Sequence, residues 1–140
     1  MKQIKLYMGH AIRGIKGINA TETDMKANNL AATRAVRVIR AYLHPLPVEI
    51  YCPGENDAFV MIAHKRNFLN EEQILDVDCQ IVGECDALVF YAALGPSKGA
   101  EIEMNYARHR DMPVFDMLVL NESYLIRLEE FVEELCQESS

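Results

Sequence analysis

The order of hydrophobic and polar positions along this chain predicts short apolar strands that alternate with longer amphipathic helices. Four short runs rich in aliphatic side chains have the length and composition of buried strands. They are residues 5–8, 48–52, a run that begins at Ala87, and residues 114–119. Because strands and helices alternate, we expect an α/β fold: a three-layer, doubly wound parallel sheet of four to five strands, Rossmann-like or flavodoxin-like.

Helical patterns and their caps fill the intervals between these strands. Helices are predicted from Thr21 or Thr23 to the prolines at 45 and 47, over 58–68, from Asn70 to about Gly83, over 99–110 and over 121–136. The pattern of residues 58–68 is ambiguous between a helix, which is favoured, and a lid. No repeat or linker interrupts the 140 residues, so we expect a single domain, 1–140.

Three loops rich in glycine or proline follow the first three predicted strands. They cover residues 9–17, 53–57 and 96–99. In doubly wound sheets, ligands bind at the carboxyl ends of the strands. The sequence therefore predicts a binding site where these three loops meet.

Glu103 occupies an unusual place in the predicted helix 99–110. At about 100° per residue, the other polar side chains of this helix fall on one arc. Glu103 lies outside that arc, between Ile102 and Tyr106 on one flank and Met104 on the other. A carboxylate on the packed side of a helix is costly unless it has a partner or a chemical task.

Asp78 is a second carboxylate on the apolar face of a helix, in the middle of Ile74, Ile81 and Val82. Two acids in different environments can divide their roles, one staying ionised as a nucleophile while the other holds a proton. Cleavage of a glycosidic bond with retention needs this division. The alternative is that both acids are structural, paired with a basic side chain or capping backbone groups.

Charge and composition exclude several classes of partner. The net charge of −7 argues against a nucleic-acid polymer, although Arg13 or Lys98 could hold a small anion locally. No run is long enough to span a membrane and no signal sequence is present, so we expect a cytoplasmic protein. The four cysteines form no C-x-x-C pair, which favours buried free thiols over disulfides or a metal site.

The segment around Glu103 also carries a resemblance to a known superfamily. Gly99, Glu103, Asn105 and Ala107 resemble the G-T-x-x-E-x-G-x-A signature of nucleoside 2-deoxyribosyltransferases. A closer resemblance is to their relatives, the 2′-deoxynucleoside 5′-phosphate N-hydrolases and CMP hydrolases. In that branch the turn is P-S-x-G with the Glu four residues later, as in Pro96, Ser97, Gly99 and Glu103.

Two further segments support the same resemblance. Residues 7–14 are similar to the branch's Y-x-x-G-S-I-R-G, and Asp78 lies eight residues before Asp86, as the branch's acid lies before the Asp that opens its third strand. The resemblance covers roughly the first sixteen residues and residues 78–119. The chain departs from the resemblance at Ala11, at Asn105 and at Gly9, which stands one place earlier than the family's glycine. These departures leave open whether the substrate carries a 5′-phosphate.

The resemblance implies an N-glycosidase or deoxyribosyltransferase of nucleotide metabolism, acting on a nucleoside or its 5′-monophosphate without a metal or redox cofactor. It makes Glu103 the nucleophile that forms a covalent glycosyl intermediate. Asp78 would hold the base and protonate it as it leaves. Tyr7 would orient Glu103 or the sugar.

The resemblance also implies a set of binding residues and a homo-oligomer. The residues that would bind substrate or its phosphate are Gly9, Ile12, Arg13, Gly14, Asp86, Ser97, Gly99 and Asn121. Stabilising the turn before the third strand is the favoured role for Asp86. Enzymes of this family borrow a residue from the next chain, for which Asn121 and Ser123 are candidates; an N-cap role suits Asn121 at least as well.

Two other functions remain open on the sequence alone. The first is a nucleotide-binding or sensing module that keeps the pocket without turnover. The second is a flavodoxin-like phosphoacceptor domain, which the absence of an Asp cluster after the first strand disfavours. His10 could bind a ligand, although an isolated histidine is more often a surface loop residue.

Overall fold

The protein was analysed as a computed structural model that describes residues 2–12 and 19–138. The strands are β1 (Ile4–His10), β2 (Val48–Tyr51), β3 (Ala87–Tyr91) and β4 (Val114–Met117). The helices are α1 (Glu22–Leu43), α2 (Asp57–Lys65), α3 (Glu71–Glu84), α4 (Lys98–His109) and α5 (Glu122–Glu138). Short 3-10 helices cover Pro53–Asn56 and Ala92–Leu94.

The four strands form one parallel sheet in the order β2-β1-β3-β4. Helices α1 and α5 pack on one face of the sheet, and α3 and α4 pack on the other. The predicted three-layer, doubly wound α/β fold is therefore confirmed. The chain reverses its direction of winding between β1 and β3, and the carboxyl ends of strands at such a point form a crevice for ligands.

Strand β1 is buried on both faces, which explains its nearly continuous apolar sequence. Ile4, Leu6 and Met8 pack in the larger core cluster beneath α1 and α5. Tyr7 points to the opposite face and packs with Leu88 in a smaller cluster beneath α3 and α4. The period of two along β1 thus directs Tyr7 toward the two helices that carry the candidate acids.

The predicted caps account for where the helices begin. Thr21 and Asp24 form a capping box at the start of α1, as Asn70 and Gln73 do at the start of α3. Ser97 caps α4 by accepting a hydrogen bond from the backbone N–H of Ala100 at 3.2 Å. Helix α2 confirms the favoured helical interpretation of the ambiguous middle segment.

Two predicted strand ends are wrong. Strand β1 continues through Gly9 and His10, which pair with Phe90 and Tyr91, so the loop does not begin at Gly9. A Cβ atom at position 9 would lie 3.8 Å from the Tyr7 ring and 3.9 Å from the Phe90 ring, so the glycine fits between aromatic neighbours without breaking the strand. Strand β4 ends at Met117 rather than at 119, because the apolar run outlasts its pairing with β3.

No helix within residues 2–12 and 19–138 is long and apolar enough to cross a membrane.

Candidate active site

Glu103 lies on the inner side of α4, as the helical projection predicts. It is 6% exposed, and Ala100 and Ala107 on the same face of the helix are also buried. These small residues let α4 approach the sheet closely and leave room for the longer side chain between them. The sequence position alone therefore directs a carboxyl group into the protein interior.

Tyr7 supplies the hydrogen-bond partner of this buried carboxyl group. Its hydroxyl donates to Oε2 of Glu103 at 2.6 Å, and its own side chain is fully buried. A distance this short is typical of an O–H donor bonded to a carboxylate. Burial and the nearby charges of Glu103 and Asp78 raise the pKa of Tyr7, so its hydroxyl remains a donor.

Asp78 lies on α3, which packs beside α4, and its side chain is half-buried. Burial raises its pKa to about 6. Among the described residues, none forms a hydrogen bond or ion pair with the Asp78 carboxyl group. Its charge nevertheless raises the pKa of both Tyr7 and Glu103, so Asp78 is close enough to influence these two groups.

The two acids both retain protons to unusually high pH. The pKa of Glu103 is raised to about 7, chiefly by burial and also by the charge of Asp78, while the hydrogen bond from Tyr7 opposes the increase. Glu103 therefore has the higher pKa, whereas the division of roles expected from sequence gives the proton to Asp78. Between about pH 6 and pH 7 the pair holds about one proton, and the pKa order places it more on Glu103 than on Asp78. The Tyr7 hydroxyl opposes this by stabilising the ionised form of Glu103.

The structure adds Tyr51 to the site, a residue that the sequence analysis did not single out. Tyr51 is paired in register with Tyr7 on the neighbouring strand, and the two rings stack with centroids 5.6 Å apart and planes at 29°. Its hydroxyl accepts a hydrogen bond from Nδ2 of Asn56 at 3.1 Å. The sequence offered one signal for Tyr51, its position as a polar aromatic residue at the end of a predicted strand. Its pairing with Tyr7 could not be predicted, because strand register is not visible in the sequence.

The residues expected to bind substrate or its phosphate near these acids fall into three groups. Ser97 and Gly99 lie at the start of α4, the helix that carries Glu103, so the structure brings them to the same element as the acid. Gly9 lies inside β1, and Ile12 is 40% exposed, with its carbonyl accepting from the Asn28 side chain. Arg13 and Gly14 lie outside the described residues.

Asp86 and Asn121 have structural partners. Asp86 stands at the amino end of β3, where its carboxylate accepts from the backbone N–H of Lys5 at 2.8 Å and from Nζ of Lys2 at 3.3 Å. This position is at the edge of the sheet opposite the carboxyl ends of the strands, and it fits the favoured role of tying the strand start. Asn121 accepts from the backbone N–H of Tyr124 at 2.9 Å and so caps α5.

His10 is buried, so its interpretation as a surface loop residue is wrong. It is 5% exposed at the end of β1, and burial lowers its pKa. Its Nε2 and the Oδ1 of buried Asn29 have no hydrogen-bond partner within the described ranges. Gly54 packs against both atoms, since a Cβ there would lie 3.1 Å from Nε2 and 3.3 Å from Oδ1.

The described surface also contains an open groove of about 410 Å³ between α1 and the 3-10 helix Pro53–Asn56. Lys26, Asn29 and Asp57 are among its lining residues, and neither Glu103 nor Asp78 is. Burial also raises the pKa of Asp57 in this groove. We place the candidate chemistry at Glu103 and Asp78 instead, because Glu103 is the more deeply buried acid and its carboxyl group is hydrogen-bonded to Tyr7.

In the part of the chain that the structure describes, no group of three or more histidine, cysteine or acidic side chains could hold a metal ion. Cys52, Cys79 and Cys136 are buried, as predicted, whereas Cys85 is only partly buried.

A family model described as a domain of unknown function, DUF4406, matches residues 4–116. The match includes Tyr7, Tyr51, Asp78 and Glu103 and stops before α5. No curated protein and no solved structure matches the chain.

Proposed function

We propose that this chain, which belongs to the DUF4406 family, cleaves the N-glycosidic bond of a (deoxy)ribonucleoside or its 5′-monophosphate, or transfers the sugar to a second base. The observation that carries the proposal is the hydrogen-bonded pair of buried Glu103 and Tyr7 with the half-buried Asp78 on the neighbouring helix. The two carboxyl groups titrate near neutral pH, where one can attack while the other donates a proton.

In the first half of the proposed reaction, Glu103 attacks the anomeric carbon of the sugar. Tyr7 binds Oε2, which leaves Oε1 of Glu103 as the attacking atom. A C–O bond forms as the C–N bond to the base breaks, and the electron pair of that bond goes to the base. Asp78 gives its proton to the base, which makes the base a better leaving group.

In the second half, a water molecule or another base attacks the same anomeric carbon. The bond to Glu103 breaks and its carboxylate is restored, again held by the Tyr7 hydroxyl. The carboxylate of Asp78 takes the proton that the attacking water or base loses, so the pair regains its single proton. Each cycle therefore returns both acids to their starting state.

The start of α4 supports a phosphate on the substrate. Its first-turn N–H groups lie at the positive end of the helix dipole, which favours an anion. The Ser97 hydroxyl oxygen accepts a hydrogen bond from within the helix and keeps its own O–H available as a donor. A 5′-phosphate bound here would share a helix with Glu103, and it would fix the sugar relative to the nucleophile.

The direct test is to incubate the protein with a panel of nucleosides and 5′-monophosphates and to follow free base by chromatography. We expect base release by the unmodified protein and none by Glu103→Ala. Glu101→Ala is the matched control, because Glu101 is exposed on the same helix. Adding a second base separates transfer from hydrolysis; nucleotide binding without release would instead support the sensing module.

We further propose that the chain is a cytoplasmic homo-oligomer with shared sites. Asn121 uses Oδ1 to cap α5, which leaves its amide N–H groups available to a neighbouring chain. Sedimentation analysis tests the assembly, and a monomer with full base-releasing activity would exclude shared sites.

A further inference from the structure

Tyr51 extends the buried site by one strand. Its ring stacks on Tyr7, and both rings lie on the face of the sheet that α3 and α4 cover. Tyr7 is fully buried, whereas Tyr51 is only partly buried at the carboxyl end of β2. Tyr51 therefore connects the interior cluster with the edge of the sheet at which ligands bind.

The Asn56 side chain bonds to the Tyr51 hydroxyl instead of capping helix α2. Asn56 is the N-cap residue of α2, yet its side chain makes no capping hydrogen bond. Its Nδ2 donates to the Tyr51 hydroxyl, so the Tyr51 O–H remains a donor and Asn56 keeps Oδ1 as an acceptor. Within residues 2–12 and 19–138, neither of these two groups makes a further hydrogen bond.

The charges around Tyr51 come from the proposed catalytic acids. Burial, Asp78 and Glu103 all raise the pKa of Tyr51, and the hydrogen bond from Asn56 opposes them. The Tyr51 hydroxyl therefore stays protonated and able to donate while the two acids titrate. The effect of Asp78 on Tyr51 is important, because Asp78 is the proposed proton donor to the base.

We propose that Tyr51, held in place by Asn56, determines specificity by binding the leaving heterocycle. The Tyr51 O–H donates to an acceptor atom of the ring, and Asn56 Oδ1 accepts from a neighbouring N–H of the same ring. This inference rests on the proposed function for its ligand class, a planar base with adjacent hydrogen-bond acceptor and donor atoms. It places the base between Asp78 and the end of β2.

The test measures binding of free adenine, cytosine, hypoxanthine and uracil by calorimetry, with ribose 5-phosphate as a probe for the sugar and phosphate. We expect Tyr51→Phe to weaken the tightest-binding base about 10-fold, the typical effect of losing one buried hydrogen bond. The affinity of Tyr51→Phe for ribose 5-phosphate should stay within about 2-fold of the affinity of the unmodified protein. Asn56→Ala should weaken the same base at least as much, because it removes the Oδ1 acceptor and also releases the Tyr51 hydroxyl from its position.

Tyr42→Phe is the matched control, because Tyr42 is a partly buried tyrosine that packs on the opposite face of the sheet. The inference is overturned if no base binds the unmodified protein, if Tyr51→Phe leaves base affinity unchanged, or if it weakens ribose 5-phosphate equally. Base binding needs no turnover. Tyr51-dependent base binding without base release would therefore overturn the proposed function and support this inference.

With an active protein, a second readout distinguishes substrate contact from a structural role. Tyr51→Phe should raise KM for the preferred substrate about 10-fold with little change in kcat, as expected for a contact made equally before and during the reaction. An equal loss of kcat for every base, with KM unchanged, would contradict a role in base binding.

Discussion

The hydroxyl of Tyr7 donates a 2.6 Å hydrogen bond to Oε2 of Glu103, and it joins the middle of β1 to the inner side of α4. This contact opposes the increase in the Glu103 pKa that burial causes. It therefore stabilises the ionised form of Glu103, which is the form that a nucleophile needs. Catalysis should therefore depend on how Glu103 and Asp78 share a proton.

The proposed reaction should show a bell-shaped dependence of kcat/KM on pH. Below about 6 both acids are protonated and the nucleophile is lost, and above about 7 both are ionised and the proton donor is lost. We expect the maximum between these values, because the singly protonated pair is most abundant there. Steady-state rates across the pH range check this, and a rate that still rises well above neutral pH would contradict it.

Replacing Tyr7 by Phe should alter that profile in a specific way. Without its donor, the pKa of Glu103 rises further, so fewer molecules carry an ionised Glu103 beside a protonated Asp78. The maximum kcat/KM should fall about 10-fold or more, as expected for a hydrogen bond to a charged group. The alkaline limb should also move to higher pH. Tyr42→Phe is the control, and a lower rate with an unmoved alkaline limb would indicate a purely structural role for Tyr7.

Glu103 should destabilise the folded protein at alkaline pH. Its pKa is raised from 4.5 to about 7 on folding, so its stabilising contribution is present below 4.5 and is lost as pH rises through 7. Glu103→Gln removes this loss and keeps an oxygen acceptor for Tyr7. At about pH 8 the variant should be more stable than the unmodified protein by on the order of 2 kcal/mol, with little difference at about pH 4.5.

Urea unfolding at the two pH values measures this difference. Glu101→Gln is the matched control, since Glu101 is exposed on the same helix and should change stability little at either pH. If Glu103→Gln were no more stable than the unmodified protein at alkaline pH, burial of an ionisable Glu103 would be disproved.

The capping box at the start of α3 should contribute measurably to stability. Asn70→Ala removes the acceptor for the backbone N–H of Gln73, a hydrogen bond of 2.8 Å. The free energy of unfolding should fall by about 1 kcal/mol. Asn70→Asp keeps a capping oxygen and should retain most of the stability. Equal losses in both variants would show that the cap is not the cause.

The sequence was sufficient to predict the fold class and the inward direction of Glu103, since regular helical periodicity determines the direction of a side chain. It could not identify Tyr51, because the pairing of Tyr7 with Tyr51 depends on the register between two distant strands. The loop expected at Gly9 was wrong because Gly9 and His10 continue the pairing of β1 with β3, which a glycine in the sequence does not reveal. The pKa order of the two acids also depends on burial, which tertiary packing alone determines.

The central claim is that Glu103 forms a covalent bond to the sugar, and mass spectrometry of the protein quenched during turnover tests it most directly. A 2-fluoro-substituted nucleoside is the suitable probe, because fluorine next to the anomeric carbon slows the breakdown of a glycosyl intermediate. We predict an added sugar mass on the peptide that contains Glu103, and none in Glu103→Gln. Base release by the unmodified protein with no sugar bound to Glu103, or with the sugar on another residue, would contradict the account.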